Sequence, residues 1–197
     1  QFVDIHRPDG TPDVIQQILH GALNVNAQVE NIGFVCQGIV QGHLFQYHHL
    51  GDGSTITDGY IYNPEMKPYE NDGHYSGTLD DRLVFTENFS AAGTMPTAAA
   101  LASAARVLKP YYPEEAERCL KNAKFIWNKY SKDADPAKNP RRGNGYWGFG
   151  DMRSSAALQL WITTGDNSYR KYFEKSLLEQ AATRPALALR VLPHMDN

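Results

Sequence analysis

The sequence predicts a mainly α-helical protein that is built from antiparallel helix pairs. Helix pairs joined by turns of a few residues occur over residues 95–131 and again over residues 152–181. In each pair the first helix is apolar or rich in small residues, and the second is longer and amphipathic. Repeated pairs of this kind are typical of an α/α array, either a closed toroid or an open solenoid. No repeat of fixed length is visible, which disfavours tetratricopeptide and ankyrin units.

The first predicted helix begins around Pro12. Thr11 can cap it, Pro12 suits its first position, and Asp13 complements its N-terminal dipole. Apolar residues then recur at helical spacing. These residues are Val14, Ile15, Ile18, Leu19, Ala22, Leu23 and Val29.

A long irregular stretch follows. Residues 33–50 fit either a broken helix or an extended segment, and residues 51–90 are rich in Gly, Asp, Tyr, Thr and Asn. Six aromatic residues between Tyr60 and Phe89 argue against a disordered linker. Loops of this length inside a domain are often functional. We expect short strands around Ile61 and Leu83-Val84-Phe85.

Thr94 and Pro96 predict the start of a second helix that runs to about Leu108 and ends before Pro110. Its many alanines fit a crowded, inner helix. Pro113, followed by two glutamates, predicts the start of a third helix with a clean apolar stripe. That stripe contains Ala116, Cys119, Leu120, Ala123, Trp127 and Tyr130.

A loop rich in Pro, Arg, Asn and Gly spans residues 134–150, and a helix is predicted from about Met152 to Thr164. Gly165 is expected to end this helix in the left-handed conformation, and Asp166 to cap the next. The residues of the next helix expected to face inward are Tyr169, Phe173 and Leu177. Another helix is expected to start at Pro185.

Composition and charge exclude several classes of partner. The 197 residues can form one domain with a sizeable core, and the net charge of −3 offers no basic patch for nucleic acid or an anionic membrane. No apolar run reaches the roughly 18 residues that a bilayer span needs.

Cys36 and Cys119 lack metal-type or redox-type spacing. Cys119 lies on an apolar stripe, which predicts a buried thiol. The sequence does not decide whether Cys36 and Cys119 form a disulfide.

The first cluster that could carry chemistry is the histidine pair His48-His49, at the start of the long loop. Histidines in a polar loop can donate hydrogen bonds to hydroxyls, bind a metal or face solvent. A third metal ligand at diagnostic spacing is not visible, and the aspartates that follow lack the calcium-loop pattern. The sequence therefore gives no reason to assign a metal.

The second cluster places Tyr146, Trp147 and Phe149 among four glycines just before a predicted helix. The glycines leave the backbone open, so the aromatic faces can be presented to a ligand. Sugar rings stack on such faces, and the neighbouring Asp151 and Arg153 can bind hydroxyls. Equally, Trp147 and Phe149 could tuck under the helix, with Asp151 serving only as its cap.

Three stretches resemble family-9 glycoside hydrolases, whose fold is a six-hairpin, (α/α)6 toroid. Residues 9–18 are similar to the family's Pro-Asp-(Ile/Val)-Leu-x-x-Ile helix, and residues 2–8 look like a bacterial polysaccharide-degrading branch. Residues 81–88, with the alanine-rich helix behind them, resemble the family's loop and inner helix. Residues 150–166 resemble its Asp-led helix and Thr-Gly-Asp turn. The three occur in family order.

The resemblance implies an inverting hydrolase of β-linked glucans, of endo-β-1,4-glucanase type, without a cofactor. It implies that His49 donates to a glucosyl hydroxyl and that Tyr146 and Trp147 stack on sugars, with Asp151 as a further contact. The family's paired-aspartate motif and late glutamate are not found here. We therefore expect residues 1–197 to be a partial toroid domain, incomplete at both ends, with its catalytic carboxylates outside this chain.

The expected partners are a polysaccharide or oligosaccharide and the remainder of the same domain. The substrate class implies a periplasmic or extracellular location. Two alternatives remain: another toroid enzyme, such as a uronyl hydrolase or lyase, and a non-catalytic carbohydrate-binding helical domain.

Overall fold

The computed structural model describes residues 3–5, 8–36, 39–41, 60–67, 70–77, 82–84, 89–135, 152–175, 177 and 191–194. The chain divides into two compact units. The helical unit consists of residues 1–19 and 90–197, and the second unit consists of residues 20–89. Within the described ranges, no helix combines the length and apolar character that a membrane crossing requires.

Three helices form the centre of the helical unit: α2 (Ala91–Leu108), α3 (Pro113–Tyr130) and α4 (Met152–Thr164). α2 packs against both α3 and α4, and α4 also contacts a 3₁₀ turn at Asn167–Tyr172. The predicted mainly α fold and the first helix pair are confirmed. The second pair differs in part, because a 3₁₀ turn replaces the first part of the predicted amphipathic helix, whereas residues 174, 175 and 177 are α-helical. The helix expected at Pro185 lies outside the described residues.

Small side chains allow the close approach of α2 to its two partners. Four alanines of α2 and two of α4 are buried, which confirms the predicted crowded inner helix. Larger side chains fill the remaining space, as close packing of a protein interior requires. The core residues of these helices include Met95, Ala98, Leu101, Ala102, Ala105, Leu108, Ala116, Cys119, Ala123, Ile126, Ala156, Ala157 and Leu160.

The start of α2 differs from the prediction. The helix begins at Ala91, and the Ser90 hydroxyl caps it by accepting a hydrogen bond from the Gly93 amide at 2.9 Å. Pro96 therefore lies inside the helix and does not mark its first turn. The serine cap, placed several residues earlier, determines where the backbone becomes helical.

Helix α1 (Asp13–Ile32) is confirmed, and Gly33 follows it with a positive φ of 83°. The boundary between the two units falls within this helix. The predicted apolar residues of α1 are not equally buried. Ile15, Ala22 and Val29 are buried, whereas Val14 and Leu23 are 44% and 40% exposed.

Two short two-stranded sheets lie in the second unit. β1 (Ile39–Gln41) pairs antiparallel with β4 (Arg82–Val84), with Ile39 opposite Val84. β2 (Ile61–Tyr62) pairs in parallel with β3 (Tyr75–Ser76). The strands predicted around Ile61 and at Leu83-Val84 are confirmed, and the extended alternative is correct for residues 39–41.

Candidate functional site

The four predicted substrate contacts are His49, Tyr146, Trp147 and Asp151. All four lie outside the described residues, so their roles remain predictions. The structure does describe the residues on both sides of the aromatic segment, which we define as residues 136–151. The site can therefore be built from the elements that flank this segment.

An ion pair joins the two sides of the aromatic segment. α3 ends at Tyr130, and a turn leads from it to Asp135, while Arg153 is the second residue of α4. The Arg153 guanidinium lies 3.3 Å from an Asp135 carboxylate oxygen and donates to the Ser131 carbonyl at 3.4 Å. The two side chains are 17% and 35% exposed, so solvent screens this pair less than a surface pair.

An aromatic cluster supports the same arginine. The Arg153 guanidinium lies over the Tyr172 ring, 5.3 Å from its centroid, in a cation–π contact. Tyr172 in turn meets Trp127 edge to face at 4.9 Å, and Trp127 meets Tyr169 at 5.4 Å. Trp127 and Tyr169 are buried. The cluster thus connects α3 and the 3₁₀ turn to the start of α4.

Arg153 makes contacts within the protein that were not predicted. From the sequence it was considered only as a hydroxyl ligand, whereas its guanidinium contacts Asp135, Ser131 and Tyr172. The Nε atom is buried, and within the part of the chain that the structure describes it has no hydrogen-bond partner. The opposite charges of Asp135 and Arg153, on the two sides of one predicted loop, could have indicated this ion pair from the sequence.

The turn after α4 agrees with the prediction. Gly165 has a φ of +70°, and the Asp166 carboxylate accepts the Ser168 amide hydrogen bond at 2.8 Å. Hydrogen bonds from the backbone and side chain of Ser168 lower the pKa of Asp166. Burial, and secondarily the Asp166 charge, raises the pKa of Tyr169. The predicted inward-facing residues Tyr169, Phe173 and Leu177 are all buried.

A polar network joins α2 to α4. Arg106 donates to the side-chain oxygen of Gln159 at 2.6 Å and to its carbonyl at 3.1 Å. Ser103 donates to the same side-chain oxygen at 2.9 Å, and Thr163 donates to the Ala102 carbonyl at 2.8 Å. Burial lowers the pKa of the Arg106 guanidinium. These contacts fix the position of α4 on α2, and α4 carries Arg153.

The second unit contains a turn that is held by local hydrogen bonds. The Asp72 carboxylate accepts from the amides of His74 and Tyr75, at 2.9 and 2.7 Å. These two hydrogen bonds lower the pKa of Asp72, and the bond from the Tyr75 amide has the larger effect. A Cβ added at Gly77 would lie 1.9 Å from the Lys67 carbonyl oxygen, so only glycine allows this close backbone approach.

Neither cysteine forms a disulfide, and Cys119 is buried, as predicted for a thiol on an apolar stripe. Among the described residues, no group of three His, Cys, Asp or Glu side chains is arranged to hold a metal ion. The described residues beside the aromatic segment thus include an arginine, a carboxylate and aromatic rings in contact with one another.

Comparison with known proteins provides the family. A family model described as glycosyl hydrolase family 9 matches residues 41–191. A cellulose 1,4-beta-cellobiosidase from Acetivibrio thermocellus is 34% identical over 95 residues, which is 44% of this chain and 11% of that protein. The crystal structure of a metagenome-derived glycoside hydrolase family 9 endoglucanase superposes with a TM-score of 0.53 at 22% identity. The superposition includes 92% of this chain and 30% of the endoglucanase chain. This chain therefore spans less than a third of the length of either relative.

Proposed function

The chain belongs to glycosyl hydrolase family 9, and from that premise we propose that it is a segment of an inverting hydrolase of β-linked glucans. The family match over residues 41–191 carries this proposal. The helical fold supports it, because the structure resembles an endoglucanase of this family and is consistent with part of an (α/α)6 toroid. Membership also favours glycoside hydrolysis over the uronide-processing and non-catalytic alternatives.

In this proposal the segment supplies substrate contacts. Tyr146 and Trp147 stack on the apolar CH faces of glucosyl rings, which removes apolar surface from water. His49 donates a hydrogen bond to a glucosyl hydroxyl, and Asp151 accepts one. Such contacts orient the glycosidic bond toward the reacting groups.

Inversion needs two carboxyl groups, roughly 6.5–9.5 Å apart, on opposite sides of the bond. One protonates the leaving oxygen, and the other takes a proton from the attacking water. We place both outside this chain, because the paired-aspartate motif and the late glutamate implied by the resemblance are not found in its 197 residues. The remainder of the domain then completes the active site, and the polymeric substrate places the enzyme outside the cytoplasm.

The full-length enzyme and the 197-residue chain should be compared on cello-oligosaccharides and on an acidic uronide polymer. We expect the full-length enzyme to cleave only the former and to release the α-anomer first, as seen by NMR. The chain by itself is expected to hydrolyse neither. Hydrolysis by the pure chain would place the carboxyl groups inside it, and release of the β-anomer would exclude inversion.

A matched pair of variants tests the stacking role. Trp147→Ala should weaken cello-oligosaccharide binding about tenfold, the equivalent of about 1.4 kcal/mol. Phe125→Ala is the control, because it removes an exposed aromatic ring from α3 that lies beside Lys129 and outside the aromatic segment. It should leave binding unchanged. Equal losses in the two variants would argue against a specific role for Trp147.

The mode of cleavage has two candidates, because one relative is named a cellobiosidase and the other an endoglucanase. We propose endo cleavage for this enzyme. The viscosity of a soluble cellulose derivative should then fall much faster than reducing ends accumulate. Cellobiose as nearly the sole early product would support the cellobiosidase alternative.

A further inference from the structure

We draw no further inference here: the strongest candidate, the outward face of α2 on which the small or apolar residues Gly93, Ala100 and Val107 are exposed, carries nothing because the described residues do not show what covers it.

Discussion

The helical unit and the turn at residues 60–77 are held together by different kinds of contact. In the helical unit, Ser103 and Arg106 bond to α4 residues more than 50 positions away in sequence, and alanines of both α2 and α4 are buried. In residues 60–77, the bonds of Asp72 reach residues two and three positions away. The first region depends on burial between helices that are far apart in sequence, and the second on the Asp72 bonds and the β2–β3 pairing, all within residues 60–77.

This difference has consequences for stability and function. A contact between distant elements stabilises the whole unit, whereas a bond between near neighbours stabilises one turn. Helical packing provides a rigid frame, and loops attached to such frames commonly carry binding residues. The sequence places the four predicted sugar contacts in predicted loops or next to a predicted helix start, and all four lie outside the described residues.

Truncation of a buried side chain should produce the largest effect. Leu160→Ala in α4 should lower the free energy of unfolding by about 2–5 kcal/mol, because it opens a cavity in a fully buried site. Val107→Ala, at an exposed position of α2, should change it by less than about 0.5 kcal/mol. Urea denaturation followed by circular dichroism measures both, and equal values would contradict the importance of burial in this unit.

Enlarging a small residue should have the next largest effect. Ala98→Leu inserts three carbons where α2 is fully buried, and it should cost about 1–3 kcal/mol through overpacking. Ala100→Leu, two residues along the same helix, is exposed and should be nearly neutral. Thermal denaturation of the two variants distinguishes close packing of α2 from a general intolerance of leucine.

Two glycines of the second unit should respond with opposite signs. Gly77→Ala should destabilise the turn by on the order of 1 kcal/mol, since its Cβ collides with the Lys67 carbonyl. Gly21→Ala in α1 meets no atom within 4 Å and should stabilise the helix by about 0.5–1 kcal/mol. Hydrogen exchange of the amides near each site measures both effects. Unchanged protection in Gly77→Ala would show that the backbone at Lys67 can move away from residue 77.

The smallest effect concerns pH. Hydrogen bonds from backbone amides lower the pKa of both Asp72 and Asp166 in the folded state. Their contribution to stability is therefore present above the unfolded value near 3.8 and is lost as pH falls through the lower folded pKa. NMR titration of the His74 and Ser168 amides should give midpoints below 3.8 in both regions. Asp72→Asn should abolish the pH-dependent shift of the His74 amide and leave that of the Ser168 amide unchanged.

Much of the helical unit could be predicted from the sequence. The bounds of α4 and the start of α3 follow from local signals: apolar periodicity, Pro113 at the first turn, and Gly165 followed by Asp166. The predicted start of α2 is wrong, because Pro96 was given more weight than the Ser90 cap. The 3₁₀ turn at Asn167–Tyr172 was also missed, since its apolar spacing resembles that of an α-helix.

The site was predicted only as a set of residue types. Aromatic rings among glycines, and the family resemblance, pointed to Tyr146 and Trp147 as sugar contacts, and these remain predictions. The contacts among Asp135, Arg153 and Tyr172 were not predicted, because the three come from separate elements. Only packing of the 3₁₀ turn beside α3 and α4 brings Tyr172 to the arginine.

The sequence by itself determined most of the helices, the turn at Gly165 and Asp166, and the likeness to a glycoside hydrolase family, because these depend on residues that are close along the chain. The tertiary structure decided which apolar residues are buried, leaving Val14 and Leu23 exposed, and which charges meet, pairing Arg153 with Asp135. Burial and pairing arise between elements, whose relative positions depend on the packing of all their side chains together.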